Sequence, residues 1–325
     1  MRRAFFPLQC PLQMLLCLTS SLLLNCCNHA PVKTIGVSIQ SEDNPFYRVM
    51  VDALETEAKK KSSSSNVFYH FTVVDAGTDS AKQQDQVEDF IKAGVNAIVL
   101  VPVNSQDIDP AILEANTANI PVFLTDIGKK NGEGDVAAFV TSNNRRGGLE
   151  AAKIICHNVR PTDKIVILSQ PSITSVEHRI LGFEQELRKC RHDPDAVDEV
   201  DAGSTKEAAS STLTSIFHER RQVAAVFGIN DNMALGAVDA VRRAHVHNVQ
   251  IVGYDAGDEA VHDVGRGYIA AEVVQYPACL GSITRQELNL YFATSPRVPL
   301  PARSIPIGVY IRNKPTPDPK ANTVC

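Results

Sequence analysis

Beyond the first thirty residues, apolar and polar positions alternate between two periods. Ile35, Val37 and Ile39 share one face of a period-two run, which predicts a strand over 33–40. Asn44-Pro45 then reads as a helix cap followed by proline at the first helical position. Phe46, Met50, Val51, Leu54 and Ala58 recur at helical spacing, and the lysine-serine stretch 59–65 closes the unit as a surface turn. The same pair of elements repeats. Strands are predicted over 67–75, 96–103, 120–126, 164–170, 223–229, 249–255 and 269–275, and helices over 80–93, 110–118, 145–157, 175–190, 206–218, 231–244 and 277–292. Asp109-Pro110 repeats the cap-then-proline device. Strands alternating with helices imply parallel sheets covered on both faces. The elements are too many for one sheet, so the reading is α/β with two doubly wound parallel-sheet lobes.

Composition supports a folded chain. Of 325 residues 44% are hydrophobic and 21% charged, which excludes disordered and low-complexity classes. The formal net charge is -5 with no Lys/Arg-rich stripe, against a nucleic-acid partner. The N-terminus has its own pattern. Arg2 and Arg3 precede a stretch free of Lys, Arg, Asp and Glu that carries Leu15, Leu16, Leu18, Leu22, Leu23 and Leu24. This is the layout of a secretory signal peptide over 1–26, and Pro7 and Pro11 make it a poor spanning helix. It resembles bacterial lipoprotein signals, with Leu23 three residues before Cys26, the preferred lipidation site. Cys27 is the near alternative, and simple cleavage stays open.

Ligands of doubly wound sheets sit beyond the carboxyl ends of the strands. The residues there read Gln40-Ser41-Glu42-Asp43-Asn44, Pro102-Val103-Asn104, Thr125-Asp126, Ser142-Asn143-Asn144, Asn230-Asp231, Asp255 and Gln275. Hydrogen-bonding side chains dominate, though each Asn or Asp also suits a cap or turn. Enzyme signatures are missing: no phosphate loop, no Gly-x-Gly-x-x-Gly, no Gly-x-Ser-x-Gly and no His-Glu-x-x-His. His245 and His247 read as solvated side chains near a helix end, and the pairs Asp198-Glu199 and Glu42-Asp43 as surface turns. Cys156, Cys190, Cys279 and Cys325 show no Cys-x-x-Cys spacing, so neither zinc nor a redox pair is indicated. A Cys156–Cys190 bridge is open to an exported chain, but two small buried helical residues is the favoured reading. No cofactor or metal is expected.

Asn44-Pro45-Phe46-Tyr47, Ile120-Pro121-Val122-Phe123-Leu124-Thr125-Asp126, Arg179 before Gly182-Phe183, Asn230-Asp231-Asn232-Met233-Ala234-Leu235-Gly236-Ala237, Val252-Gly253-Tyr254-Asp255 and Gln275 form an ordered series. Together they resemble the periplasmic sugar-binding proteins of ABC transporters, in the ribose/galactose-binding group, from about Thr34 to Ile311. The resemblance implies a type I periplasmic binding protein fold whose three hinge crossings lie near Ser142, Gln275 and Arg303. The lobes would then be 32–142 plus 276–303 and 143–275 plus 304–315, with a polar tail over 316–325. It implies ligand contacts from Asn44, Phe46, Tyr47, Asp126, Ser142, Arg179, Asn230, Asp255 and Gln275. Carboxylates accept from sugar hydroxyls, Arg179 donates a fork of N–H bonds, and the amides do both.

Departures from the ribose pattern make the pocket less polar: Ile127 replaces a second arginine and Val101 an asparagine. The second-lobe aromatic is replaced near Ala202-Gly203, and no calcium loop precedes Lys164. The implied function is a solute receptor that passes a monosaccharide or similar polyhydroxy ligand to a membrane permease. It would act as a monomer in the periplasm or cell envelope, held by a lipid anchor. A sensor for a chemoreceptor or kinase is the alternative. A repressor-like effector-binding protein needs a DNA-binding head, for which the leucine-rich N-terminus is unsuited.

Overall fold

The alternation seen in the chain is realised as two sheets of like design. The computed structural model describes residues 32–311 apart from 57–66, 131, 204, 220–221 and 295–297. The expected signal segment with Cys26, the 59–65 turn and the polar tail lie outside the described residues. β1 (Val32–Ile39), β2 (Phe68–Asp75), β3 (Ala97–Leu100), β4 (Val122–Thr125) and β5 (Val136–Ser142) pair in parallel in the order β2-β1-β3-β4-β5. β6 (Lys164–Ser169), β7 (Val197–Asp201), β8 (Val223–Gly228), β9 (Gln250–Asp255) and β10 (Ala271–Val274) repeat it as β7-β6-β8-β9-β10. β11 (Arg303–Ile305) extends the first sheet beside β5 in parallel, and β12 (Gly308–Ile311) extends the second beside β10 antiparallel.

Helices α1 (Pro45–Thr56), α2 (Ser80–Lys92), α3 (Asp109–Thr117), α4 (Asn144–Cys156), α5 (Thr174–Lys189), α6 (Lys206–His218), α7 (Asp231–Arg243), α8 (Asp258–Arg266) and α9 (Pro277–Ala293) cover the faces. Their apolar stripes are short because each needs to cover only one sheet face; α1, for example, buries Tyr47, Met50 and Leu54. The central strands are apolar on both faces, as strands clothed by helices must be: Ala97–Leu100 and Val122–Thr125 are buried at every position.

The chain passes from one sheet to the other after Ser142, around Gln275 and between Ile305 and Gly308. The third passage therefore lies beyond the Arg303 boundary, because Arg303–Ile305 still pairs with β5.

Four expectations are corrected locally. Asp198 and Glu199 are not on a surface turn but in the edge strand β7, where Lys164 Nζ pairs with Asp198 at 2.9 Å and Ser169 Oγ donates to Glu199 at 2.8 Å. Acidic residues there suit an edge that must not pair with another chain. Asp109 does not cap α3; it stands inside the helix after Ile108, and its carboxylate lies 3.7 Å from Lys129 Nζ. Cys156 and Cys190 are bridged, with Cα atoms 6.2 Å apart, because the packed helices α4 and α5 bring their C-terminal ends together. The short, polar α8 and the strands β5, β7, β11 and β12 had no predicted counterpart.

Candidate functional site

Both sheets turn their carboxyl ends toward one cleft, which encloses about 390 Å³ of space not filled by atoms, part of it open to solvent. Of the nine expected residues, eight line it: Asn44, Phe46, Tyr47, Asp126, Arg179, Asn230, Asp255 and Gln275. Ser142 does not. It is buried at the end of β5, with no hydrogen-bond partner for its hydroxyl. β5 is separated from β1 by β3 and β4. Gln40, Ile127, Gln170, Ile173, Ser175, Val176 and Ile229 complete the lining. Gln40, already in the strand-end series, and Gln170 directly follow the equivalent strands β1 and β6, a repeat in the chain that could have marked Gln170 as well.

Two acids are aimed by unusual backbone. Asp126 has φ 66° at the centre of a three-residue turn closed by the Ile127 amide donating to the Thr125 carbonyl at 2.8 Å. Asp255 has φ 103° and Ala256 φ 64°, at a turn whose Ala256 and Gly257 amides donate to the Asp231 carboxylate at 3.2 and 2.8 Å. Such conformations cost free energy, and they persist where surrounding structure over-determines them.

Arg179 is the cation of the cleft and is held on several sides. Its Nε donates to Asn144 Oδ1 at 2.9 Å and Nη1 to the Ile229 carbonyl, while the guanidinium lies 3.9 Å from the centre of the Tyr254 ring. Nη1 is 3.9 Å from Asp255 Oδ1. Arg179 reaches this position because α4 and α5 cross at glycines. A Cβ at Gly148 would stand 1.7 Å from the Arg179 carbonyl oxygen, and one at Gly182 1.9 Å from that of Arg145.

The asparagines do two things at once. Asn44 Oδ1 accepts from the Phe46 amide and Asn230 Oδ1 from the Met233 amide, each at 3.0 Å, so both cap helices. Each amide Nδ2 remains as a donor on the cleft wall. Phe46 and Tyr47 meet edge to face with centroids 5.4 Å apart, and the Tyr47 hydroxyl donates to Gln40 Oε1 at 3.1 Å. Gln275 Nε2 donates to Asp255 Oδ1 at 2.6 Å. Asp126 Oδ1 and Gln275 Oε1 are buried without a partner. Unpaired buried acceptors are rare enough to need a reason.

Electrostatics follow from this geometry. Burial pushes the Asp126 carboxyl up to about 7, against the opposing pull of Arg179, while the Asp255 charge adds to the rise. Asp255 is also raised by burial, with Arg179 and the Gln275 hydrogen bond holding it back. Burial and the two acids push the Tyr47 phenol well above its ordinary range. Among the described residues no group of three or more His, Cys, Asp or Glu side chains could hold a metal ion, and no helix is long and apolar enough to cross a membrane.

The chain has relatives throughout this architecture. It is 29% identical over 258 residues to the ribose import binding protein of Bacillus subtilis, covering 78% of this chain and 79% of that one. With the ribose import binding protein of Haemophilus influenzae it is 31% identical over 251 residues, 77% and 82% of the two chains. Among solved structures, an ABC transporter solute binding protein from Bacillus halodurans with bound myo-inositol superposes with a TM-score of 0.75 at 24% identity, over 87% of this chain and 96% of the other. A periplasmic solute binding protein from Actinobacillus succinogenes with bound D-allose gives 0.72 at 23% identity, over 86% and 98%. The periplasmic binding protein domain model matches residues 35–288, most of the chain and both sheets, and the chain therefore belongs to that family.

Proposed function

We propose that this protein is the solute receptor of an ABC importer, binding a monosaccharide or polyol between its two lobes and delivering it to a membrane permease. The observation that carries the reading is the convergence of donors and acceptors from both sheets on one cleft, with Asp126 Oδ1 and Gln275 Oε1 buried there and unpaired. A polyhydroxy ligand offers hydroxyls that donate to these acceptors and accept from Arg179 and the asparagine amides. Phe46 supplies the face for the C–H side of the ring. Ile127, Ile173, Val176 and Ile229 add apolar surface to the cleft; of the departures from the ribose pattern, Ile127 lies there and Val101 and Ala202-Gly203 do not. The curated relatives import ribose and the solved neighbours hold myo-inositol and D-allose, so pentoses, hexoses and inositols are the solutes to try.

Membership of this family implies a periplasmic location. The anchor belongs to the proposal: cleavage before Cys26 and lipidation of that cysteine would hold the receptor at the membrane beside its permease. Lobes of 32–142 with 276–305, and 143–275 with the chain from 308, would close on the ligand as a hinge.

The test is thermal unfolding against D-ribose, D-allose, L-arabinose and myo-inositol, after refolding to strip carried solute. A ligand at 100 times its Kd adds about 2.7 kcal/mol, a shift of a few degrees. A saturable shift with one solute, abolished by Asp255→Ala, supports the receptor reading. No shift with any of them refutes it for this class.

A further inference from the structure

Behind Asp255, on the face of the second sheet that carries α7, lies an acid that ligand binding does not use. Glu272 of β10 is fully buried, and neither of its carboxyl oxygens has a hydrogen-bond partner. Register sets it beside Gly253 of β9 and Tyr310 of β12. A Cβ at Gly253 would stand 2.0 Å from Glu272 Oε1, so the carboxyl occupies the space of a missing side chain. The charged groups facing it are the carboxyls of Asp231, at the start of α7, and Asp255, at the end of β9. α8 turns Ala260 and Val264 inward, with Asp258, Glu259, His262 and Arg266 exposed and Asp263 half-buried; Asp239 of α7 pairs with Lys206 at 3.7 Å. Tyr254, with α4 and Arg179, belongs to the opposite face.

The nearest donor to Glu272 is the Ala256 amide, which already bonds Asp231 at 3.2 Å. A buried carboxylate left with that share and two acids for neighbours is costly, and a proton removes the charge and supplies a donor. Asp231 differs from Glu272 in already accepting two backbone amides, those of Ala256 and Gly257. We infer that Glu272 is the neutral member of a one-proton carboxyl pair with Asp231, and that this pair holds the turn presenting Asp255 to the ligand. The second half of the statement rests on the receptor reading; the first does not. Burial, then the charges of Asp231 and Asp255, raise the Glu272 carboxyl well above the ordinary glutamate range. Burial and Asp255 raise Asp231 as well, but there the Gly257 and Ala256 amides both hold it back. Glu272 is a positioning residue that acts through Asp231 and the strained Asp255-Ala256 turn.

The experiment follows the carboxyl carbon of Glu272 by NMR in 13C-labelled protein, assigned through its own backbone, from pH 5 to 9. The expected result is a protonated signal at pH 7; an ionised carboxyl at pH 7 overturns the inference, whatever the sugars do. Glu272→Gln keeps a neutral donor of the same shape and serves as the second probe. Without ligand, wild-type stability should fall as pH rises from the glutamate range toward the raised value, and E272Q should lose that part of the slope. Equal slopes in the two proteins also overturn the pair. With D-ribose, D-allose or myo-inositol, affinity of the wild type relative to E272Q should fall above the pair's titration, by at most about tenfold per pH unit, the limit for one linked proton. Parallel pH profiles would overturn the positioning role. If none of the three solutes binds at any pH, the receptor reading fails while the carboxyl signal still decides the pair.

Discussion

The two halves of the cleft are built from sheets of the same strand order, yet they are electrostatically unlike. The half from the first sheet presents Phe46, Tyr47, Gln40 and Asp126, an acid with no cation on its own side. The half from the second sheet presents Arg179, seated on Tyr254 and bonded to Asn144 and Ile229, together with Asp255. The first half thus depends on the second for its charge balance, since Arg179 is what restrains the rise of Asp126. One rigid cation serves acids on both walls, and burial still outweighs its pull on Asp126.

The hardest way to break this asymmetry is Arg179→Ala. It strands the Ile229 carbonyl, leaves Asn144 Oδ1 only the Tyr254 hydroxyl at 3.4 Å and takes the cation from buried Asp255. It should cost about 3–5 kcal/mol of stability and all measurable ligand binding. Denaturant unfolding and titration calorimetry check both, and Arg179→Lys, which lacks the fork, should restore little. Next comes the disulfide of the second lobe. Opening Cys156–Cys190, which spans a sequence separation of 34 residues, should lower stability by about 2–4 kcal/mol. Ligand affinity should be unchanged in a Cys156→Ser/Cys190→Ser protein, because the bridge lies at the ends of α4 and α5 away from the cleft lining.

Gly148→Ala should cost about 1–3 kcal/mol through overpacking. It should also weaken binding by displacing Arg179, whose carbonyl oxygen the new Cβ would meet. A pH series sharpens the comparison. Asp126 is raised above its unfolded value, so the neutral form favours the fold: its contribution is present at acid pH and is lost as pH climbs from about 4 through about 7. Ligand hydroxyls prefer the ionised acceptor, so affinity should rise through the same range while apo stability falls. Asp126→Asn should flatten both curves, seen by calorimetry and by thermal unfolding at pH 5, 7 and 9.

Much of this was legible in the chain because periodicity reports burial. Helices with one apolar stripe such as Lys206–His218 matched their predicted spans. The strand predicted over 96–103 is present but half as long, as Ala97–Leu100, because the apolar run continues past the last paired residue. β7 escaped because an edge strand need not be apolar, and Val197–Asp201 carries three acids. β11 and β12 are too short to show a period, and α8 buries only Ala260 and Val264. In the site, the strand-end rule found Asp126, Asn230, Asp255 and Gln275, whose strands end at the cleft. It misplaced Ser142, since the rule does not say which strand ends open there. Ile173 and Val176 were missed because apolar residues at the start of a helix look like core. Glu272 carried no signal at all: one acid in an apolar strand reads as a solvent-facing position until the helices covering that face are known.

The space shared by Gly253 and Glu272 has a consequence for descent. Volume at these two positions is a single quantity divided between neighbouring strands, since any Cβ at 253 claims the place of the carboxyl at 272. A descendant that acquires even alanine at 253 must first, or at once, shorten residue 272. The two sites should therefore drift as a pair among close kin, and each single change should be less fit than the double.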